Sequence, residues 1–302
     1  MNDLILVYGA TGEQGRPVAE GLLAQGRAVR VMVRHPEAAA DLVRQGDEVV
    51  SGDLNTPDDV RRASAGAAQV FLMLPLGGNP VAMAQHAVEA AQAAGVRRIV
   101  LNTSGQTPET PTGLPMMDYR LPLEGLVRGS GLAHVILRPT AYLQNLLGPW
   151  ARPGVVEGNV LAYPVPETHR VSWIAAEDLG RLAVAALTDE TVSATFDVGG
   201  PEALTGPQMV QTMSRVLGRE IRYHALPPEE FGAMMGRAFG QPELGEQAAR
   251  AYRLTWDGDP DAMVIEMAPV LRALPVQLTT FEDWMRAHAG AFQAGQPGAG
   301  AR

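Results

Sequence analysis

Residues 4–15 read Leu4-Ile5-Leu6-Val7-Tyr8-Gly9-Ala10-Thr11-Gly12-Glu13-Gln14-Gly15, an apolar run of strand length that ends in three glycines at intervals of three. This pattern predicts a strand, a tight turn and the start of a helix. Gly9 would turn the chain, Gly12 would let the backbone approach a pyrophosphate, and Gly15 would let the helix pack on the strand. Since the free N–H groups of a helix start attract anions, the stretch predicts dinucleotide binding. A chain with 33 glycines also produces such spacings by chance, so an ordinary glycine-rich turn is the alternative.

The composition is typical of a globular protein. A chain of 302 residues with 46% hydrophobic content can bury a full core, as one large domain or as a domain with a smaller lobe. No apolar run approaches the roughly 20 residues that span a bilayer, and no basic stretch with a cleavage site precedes the first strand. We therefore expect a cytoplasmic protein without a membrane partner. The net charge of -9 disfavours a nucleic-acid partner.

Two residue types are absent from the sequence, and each absence excludes chemistry. Without cysteine there are no disulfides, no thiolate nucleophiles and no sulfur-ligated metals. All 24 basic residues are arginines, so a mechanism that requires lysine is excluded. A coding bias explains the missing lysine better than selection for function does, but the chemical exclusion holds in either case.

Strands and helices alternate through the first half of the chain, with helical crossovers between strands. This order predicts an α/β fold of the Rossmann type, in which a doubly wound parallel sheet binds its ligand at the carboxyl ends of the strands, where the strand order reverses. After the first strand, the predicted strands cover residues 28–33, 49–50, 69–74, 98–102 and 134–137.

The alternation weakens beyond about Asn145. A loop rich in proline and threonine at 107–115 lies over the predicted strand ends, where it could act as a lid, and a helix is predicted over 117–128. Further along, the patterns predict a hairpin over 155–163, a helix over 177–187 and a short strand over 196–198.

These patterns predict three parts in the chain. We expect a dinucleotide-binding Rossmann domain over 1–145 and a smaller C-terminal lobe for substrate or partner, with returns to the sheet, over 146–289. A flexible tail is expected over 290–302, where glycine and alanine dominate.

Several short motifs accompany the glycine stretch in a fixed order. They are Val33-Arg34-x-Pro36, Gly52-Asp53-Leu54, Asn102-Thr103-Ser104, Ser130-Gly131-Leu132, Leu137-Arg138-Pro139-Thr140-Ala141-Tyr142-Leu143-Gln144-Asn145, Ser172 to Gly180, and Gly199-Gly200-Pro201. Over roughly residues 4–285 the chain thereby resembles the NmrA-like family of the atypical short-chain dehydrogenase/reductase superfamily. The resemblance implies a Rossmann domain that binds NAD(P). It also implies either a quinone, azo-dye or triphenylmethane reductase or a cofactor-sensing regulator.

The resemblance implies a position for each matching residue around the cofactor. The residues implied at the phosphates are Gly9, Thr11, Gly12, Gln14 and Gly15. Arg34 would lie at the adenosine ribose, and Asp53 and Leu54 would border the adenine. The residues implied along the middle of the cofactor and at the nicotinamide are, in order, Leu74, Pro75, Leu76, Ser104, Pro139, Thr140 and Tyr142.

The catalytic pair of the wider superfamily, Tyr-x-x-x-Lys, is incomplete. Tyr119 is a candidate proton donor, but Leu123 stands where the lysine would be. A neutral tyrosine, with an ordinary pKa of about 10, can still donate a proton if it is positioned, and Arg120 could assist electrostatically. The alternative is that Tyr119 is a loop tyrosine that covers the pocket.

Other candidate groups point to no second chemistry. Ser104 lacks the Gly-x-Ser-x-Gly turn of a hydrolase nucleophile and is interpreted as a hydrogen-bonding residue for cofactor or substrate. The six histidines are scattered without metal-ligand spacing, so no metal is expected. For Glu124, Glu177 and Asp178, helix capping or a solvated helix face is the favoured interpretation.

Two functions of different classes are consistent with these residues. The first is an NADPH-dependent reductase of quinones, dyes or other electron-poor small molecules, since such acceptors can take their proton from solvent. A positioned acid would contribute a factor on the order of 10² to 10⁴, which a reactive acceptor can do without. The second is a redox sensor that binds NAD(P)(H) and acts through a protein partner without catalysis. A sugar-nucleotide epimerase is disfavoured because those enzymes use the missing lysine.

Arg34 gives an expectation about the choice of cofactor. NAD-preferring Rossmann folds usually carry an acid at the end of the second strand, where it bonds the ribose hydroxyls. Here the position holds a guanidinium, whose fork of donors matches a phosphate. The sequence therefore predicts that NADP(H) is preferred over NAD(H), unless Arg34 points to solvent.

Overall fold

The computed structural model describes residues 3–45, 48–75 and 77–293. A parallel sheet organises the fold, with the strand order β3-β2-β1-β4-β5-β6-β8. Its strands are β1 (Leu4–Tyr8), β2 (Ala28–Val33), β3 (Glu48–Ser51), β4 (Gln69–Met73), β5 (Arg98–Asn102), β6 (Ala133–Pro139) and β8 (Ala194–Val198). The order reverses between β1 and β4, as expected for a doubly wound sheet. The predicted Rossmann-type fold is thus confirmed.

Helices cover both faces of this sheet. They are α1 (Arg16–Ala24), α2 (Ala40–Gln45), α3 (Pro57–Ser64), α4 (Pro80–Ala93), α5 (Pro115–Asp118), α6 (Arg120–Gly129) and α8 (Ala176–Thr188). Side chains alternate along a strand, so Ile5 and Val7 face the layer that contains α1 and α8, whereas Leu6 and Tyr8 face the layer that contains α3 and α4. This two-sided burial explains why β1 is apolar throughout.

A smaller lobe follows β6 and has a core of its own. It contains α7 (Arg152–Gly158), β7 (Val160–Tyr163), α9 (Gly206–Leu217), β9 (Arg222–Ala225), α10 (Pro228–Phe239), α11 (Pro242–Trp256) and α13 (Phe281–His288). Buried aromatic residues such as Tyr163, Trp173 and Trp284 form much of its core. Between α11 and α13, α12 (Met267–Ala273) returns to the sheet, where Met267 and Val270 pack in the same core as α1 and α8. Across the described ranges, no helix is long and apolar enough to cross a bilayer.

Three local predictions are wrong in part. Residues 155–163 are not a hairpin, because 152–158 form α7, Asn159 ends that helix in the left-handed conformation, and β7 pairs in parallel with the distant β9. The helix predicted over 117–128 is divided at Tyr119 into α5 and α6.

The predicted flexible tail is also wrong at its start. Residues 289–292 form a 3₁₀ turn, and Phe292 is fully buried in the core of the lobe. An aromatic side chain of this size stabilises the folded chain by its burial, which the glycine-rich composition did not indicate. The rest of that tail, residues 294–302, lies outside the described residues.

Candidate functional site

The glycine turn after β1 forms a tight cradle at the point where the strand order reverses. Gly9 has a φ of +77°, and a Cβ added to it would lie 2.9 Å from the Met73 Cε atom at the end of β4. A Cβ on Gly15 would lie 2.3 Å from the Gly9 carbonyl oxygen, so the first turn of α1 packs directly on the turn. Both positions therefore require glycine, for backbone reasons that the spacing predicted.

The same turn leaves main-chain donors unengaged. The Gly12 N–H donates to the Gly9 carbonyl at 3.0 Å. Among the residues that the structure describes, the N–H groups of Glu13, Gln14 and Gly15 have no acceptor, and the N-cap residue Gly15 provides no side-chain cap. Unpaired N–H groups at a helix N-terminus are an anion-binding arrangement. The cradle therefore fits the pyrophosphate of a dinucleotide, with room over Gly12 that a side chain would fill.

Arg34 lies just beyond β2, on the side of β1 away from β4. It is exposed, and no hydrogen bond or ion pair joins it to any part of the chain that the structure describes. The side chain is thus available to a ligand group beside the end of β2.

Asp53 and Leu54 follow the neighbouring strand β3. The carboxylate of Asp53 accepts hydrogen bonds from the main-chain N–H and the side-chain amide of Asn55, both at 2.8 Å. Leu54 is buried, and its carbonyl oxygen is 2.9 Å from Nδ1 of His86. Both residues shape the loop beside Arg34, and the Asp53 carboxylate already has partners within the protein.

Leu74 and Pro75 follow β4 and are half-buried at the carboxyl edge of the sheet, beside the glycine cradle. Leu76, which the resemblance places with them, lies outside the described residues. The cradle and these two residues are therefore neighbours on adjacent strands.

Asn102, the last residue of β5, links the glycine cradle to the segment that follows β6 through hydrogen bonds of its side chain. Its amide nitrogen donates to Gln14 Oε1 at 2.9 Å and to the Tyr142 hydroxyl at 3.2 Å, and its amide oxygen accepts the Ser104 N–H at 2.9 Å. The last bond holds Ser104 at a φ of +57°, which is unusual for a residue with a side chain. The sequence motif Asn102-Thr103-Ser104 did not identify Asn102 as a site residue. The available signal was a polar side chain that follows the apolar run Ile99-Val100-Leu101 at the end of the strand.

Pro139 ends β6, Thr140 and Tyr142 follow it, and all three are buried. The Thr140 hydroxyl donates to the Ser172 carbonyl oxygen, so it is already engaged within the protein. Burial raises the pKa of Tyr142 well above its ordinary value, although the bond to Asn102 and the charge of Arg120 act in the opposite direction. Tyr142 is therefore a neutral hydroxyl at any ordinary pH.

Tyr119 and Arg120 lie at the junction of α5 and α6, close to the end of β5. The guanidinium carbon of Arg120 is 4.8 Å from the centre of the Tyr119 ring. Its Nε atom donates to the Thr103 carbonyl at 3.0 Å. The structure thus brings the two candidate catalytic residues to the same strand end as Ser104 and Asn102.

Two acidic residues, Glu124 and Asp178, are buried, whereas the sequence favoured helix capping or a solvated helix face for them. Glu124 is not on a solvated face: it is 4% exposed and accepts two hydrogen bonds from Arg138, each of 2.6 Å. Asp178 is fully buried, where it accepts bonds from the Thr279 N–H and hydroxyl at 2.8 and 2.9 Å. Both were misassigned because their partners are distant in sequence. Glu177, in the first turn of α8, is exposed as expected.

Comparison with known proteins gives a family match over nearly the whole chain. The model of the NmrA-like family matches residues 1–285. The chain is 31% identical to an NAD(P)H azoreductase of Xenophilus azovorans, over 96% of this chain and 100% of that protein. It is 32% identical to a (4-alkanoyl-5-oxo-2,5-dihydrofuran-3-yl)methyl phosphate reductase of Streptomyces griseus, over 96% and 99% of the two chains.

Solved structures show the same fold. The NADPH complex of an NADPH-dependent quinone oxidoreductase from Escherichia coli superposes with a TM-score of 0.79, covering 95% of this chain and 99% of that one. At 20% sequence identity, this likeness concerns the architecture alone.

Proposed function

Because the chain belongs to the NmrA-like family, we propose that it is an NADPH-dependent reductase of quinones, azo compounds or similar electron-poor small molecules. The observation that carries this proposal is the glycine turn after β1, which lies at the reversal of the strand order and in which, among the described residues, the N–H groups of Glu13, Gln14 and Gly15 have no acceptor. The two relatives above 30% identity, both reductases by name, support the same class of reaction.

In this proposal, different residues around the cradle contact different parts of the cofactor. The turn would hold the pyrophosphate, Arg34 would reach the adenosine end, and Leu74, Pro75 and Leu76 would lie along the middle of the cofactor. Ser104, Pro139, Thr140 and Tyr142 would border the nicotinamide. When bound, NADPH supplies a hydride, so an acceptor that gains it and one proton is reduced by two electrons and NADP⁺ is left.

Tyr119 is the proposed proton donor, assisted by the charge of Arg120. Its ring lies under the guanidinium, and it is half-buried at the carboxyl edge of the sheet. A quinone or azo acceptor can also take its proton from water, so we expect Tyr119→Phe to reduce turnover without abolishing it.

Turnover of NADPH with a panel of quinones and azo dyes tests the proposal. Purified protein should consume NADPH in the presence of at least one acceptor class, and Gly12→Val should abolish this because the new side chain fills the approach to the turn. Gly290→Ala is the matched control, since a Cβ there meets no atom within 4 Å.

Consumption no faster than in the protein-free control across the panel would contradict a reductase. Full activity of Gly12→Val would contradict the role of the glycine turn in holding the cofactor. If calorimetry then showed tight cofactor binding without turnover, the redox-sensor alternative would become the better explanation.

A further inference from the structure

The Arg120 guanidinium is a half-buried cation that no carboxylate contacts within the described residues, and it lies beside the proposed nicotinamide end of the site. Resting on the reductase function proposed above, we propose that Arg120 binds an anionic substituent of the acceptor, such as a carboxylate, sulfonate or phosphate. Acceptors that carry such a group would then be the preferred substrate class.

The position of Arg120 is unfavourable for a positive charge in two ways. It is the first residue of α6, where the helix dipole repels cations. Burial also lowers its pKa, although a guanidinium stays charged in proteins. A positive charge at a half-buried helix N-terminus needs an anion or a set of hydrogen-bond acceptors to offset its cost.

The hydrogen bonds of Arg120 use only two of the three guanidinium nitrogens. Nε donates to the Thr103 carbonyl at 3.0 Å, and Nη1 donates to the Met116 carbonyl at 2.9 Å. In the described part of the chain, Nη2 has no acceptor and no carboxylate contacts the guanidinium. Asp118, the nearest acid in sequence, instead accepts bonds from Thr112 and Gly113.

Two other arginines that are at least half-buried show what a purely structural role looks like. Arg138 makes a two-point pair with the Glu124 carboxylate. Arg98 donates from both terminal nitrogens to the carbonyl groups of Ala186, Glu190 and Val192 and thereby fixes a turn at the opposite end of β5. Among the described residues, Arg120 has neither a carboxylate partner nor an acceptor for its terminal nitrogen Nη2, which remains for an external anion.

The position of Arg120 also favours an anionic group of the acceptor, rather than a phosphate of the cofactor, as its ligand. The glycine cradle follows β1, whereas Arg120 is bonded to Thr103 at the end of β5, and β4 lies between these two strands. An anion held by Nη2 would place the rest of the acceptor near Tyr119 and Tyr142, the two tyrosines that interact electrostatically with Arg120.

A pair of dyes that differ by one negative charge tests this role. We would measure the dissociation constants of para-methyl red, a carboxylate, and of its methyl ester, for full-length protein saturated with NADP⁺ so that no turnover occurs. A charge-assisted hydrogen bond of about 1.5–3 kcal/mol corresponds to a roughly ten- to 150-fold preference for the acid. Arg120→Gln should remove that preference, and Arg120→Lys should retain part of it.

Gly105→Ala provides a variant that keeps the charge. A Cβ at residue 105 would lie 2.7 Å from Arg120 Nη2, so the substitution displaces the guanidinium without removing it. We expect it to weaken binding of the acid and to leave the ester affinity nearly unchanged. Arg272→Gln, at an exposed arginine on α12, controls for the general loss of one positive charge.

Two results would overturn the proposal. The first is an acid-to-ester preference in Arg120→Gln equal to that of the wild type; if kcat then fell equally for both dyes, Arg120 would act only by stabilising charge that develops on the acceptor. The second is an equal loss of affinity for both dyes together with NADP⁺, which would place Arg120 at the cofactor. If wild-type protein reduces neither dye but still shows the Arg120-dependent preference, the reductase function fails and the anion site stands.

Discussion

At the scale of single residues, Arg34 is the side chain on which the choice of cofactor depends. It is exposed beyond β2 and has no partner within residues 3–45, 48–75 and 77–293, so its fork of donors is free to bind the 2′-phosphate of NADP(H). One charge-assisted hydrogen bond predicts a roughly ten- to 150-fold preference for NADPH over NADH. Calorimetry should show that Arg34→Ala weakens NADPH binding by about this factor and NADH binding far less.

The control for this experiment is Arg272→Ala, at the exposed arginine on α12, which should leave both affinities unchanged. Equal losses of NADPH and NADH in Arg34→Ala would show that the side chain does not distinguish the phosphate from a hydroxyl.

Residues differ in how far their roles could be predicted from the sequence. The three glycines were predictable because their requirement is local: a turn, a helix start and a close backbone contact within seven residues. Asn102 was not, because its partners Gln14 and Tyr142 are 88 and 40 positions away. The roles assigned to the cofactor-contacting side chains remain predictions.

At the scale of elements, the pair of Glu124 and Arg138 joins α6 to β6. Burial opposes the charge on Glu124, but hydrogen bonds from Arg138 and Arg128 outweigh it and lower the pKa of the carboxyl group. Since the folded pKa lies below the unfolded value of about 4.3, the stabilisation is complete above that pH and is lost as the pH falls through the lowered pKa.

Glu124→Gln removes the carboxylate charge that accepts hydrogen bonds from Arg138. It should therefore lower the free energy of unfolding at neutral pH by about 1–3 kcal/mol, the range for a hydrogen bond to a charged group. The difference from wild type should shrink as the pH falls below about 4.3. Urea unfolding at a series of pH values measures both effects. Glu229→Gln, at an exposed ion pair with Arg253, should change stability little at any pH. A Glu124→Gln deficit that did not depend on pH would contradict the ionic explanation.

Elements of the sheet were predicted better than those of the lobe. Strands β2 and β5 have the predicted bounds, because buried parallel strands are short apolar runs between turn residues. The helix α7 was missed because Pro153, Gly154 and Gly158 weaken its helical pattern. The pairing of β7 with β9 joins segments about 60 residues apart, and no local pattern indicates such a partner.

At the scale of the whole molecule, the second half of the chain completes the sheet of the first. The strand β8 pairs in parallel with β6, with Val135 opposite Ala194 and Pro139 opposite Val198. The helix α8 packs on α1 and on β4, β5 and β6. A Cβ on Gly180 of α8 would lie 2.6 Å from Pro17 Cβ, so α8 directly supports the first turn of α1, which follows the glycine cradle.

This arrangement predicts that residues 1–145, the proposed cofactor domain, do not fold alone. The fragment would retain the cradle, Arg34 and the strands β1 to β6 but would expose Val18 and Leu22 of α1, which are fully buried in the core that they share with α8. Uncovered apolar surface costs about 25 cal/mol per Å², and several such side chains approach the whole stability of a domain.

Thermal unfolding followed by circular dichroism should therefore show no cooperative transition for the isolated fragment, and NADPH should not bind to it. Addition of a fragment covering 146–302 should restore both signals, because it supplies β8 and α8. A cooperative transition of the 1–145 fragment with wild-type affinity for NADPH would instead show that the first half is an independent domain, and that α8 and β8 cover it without being needed to hold the cradle in place.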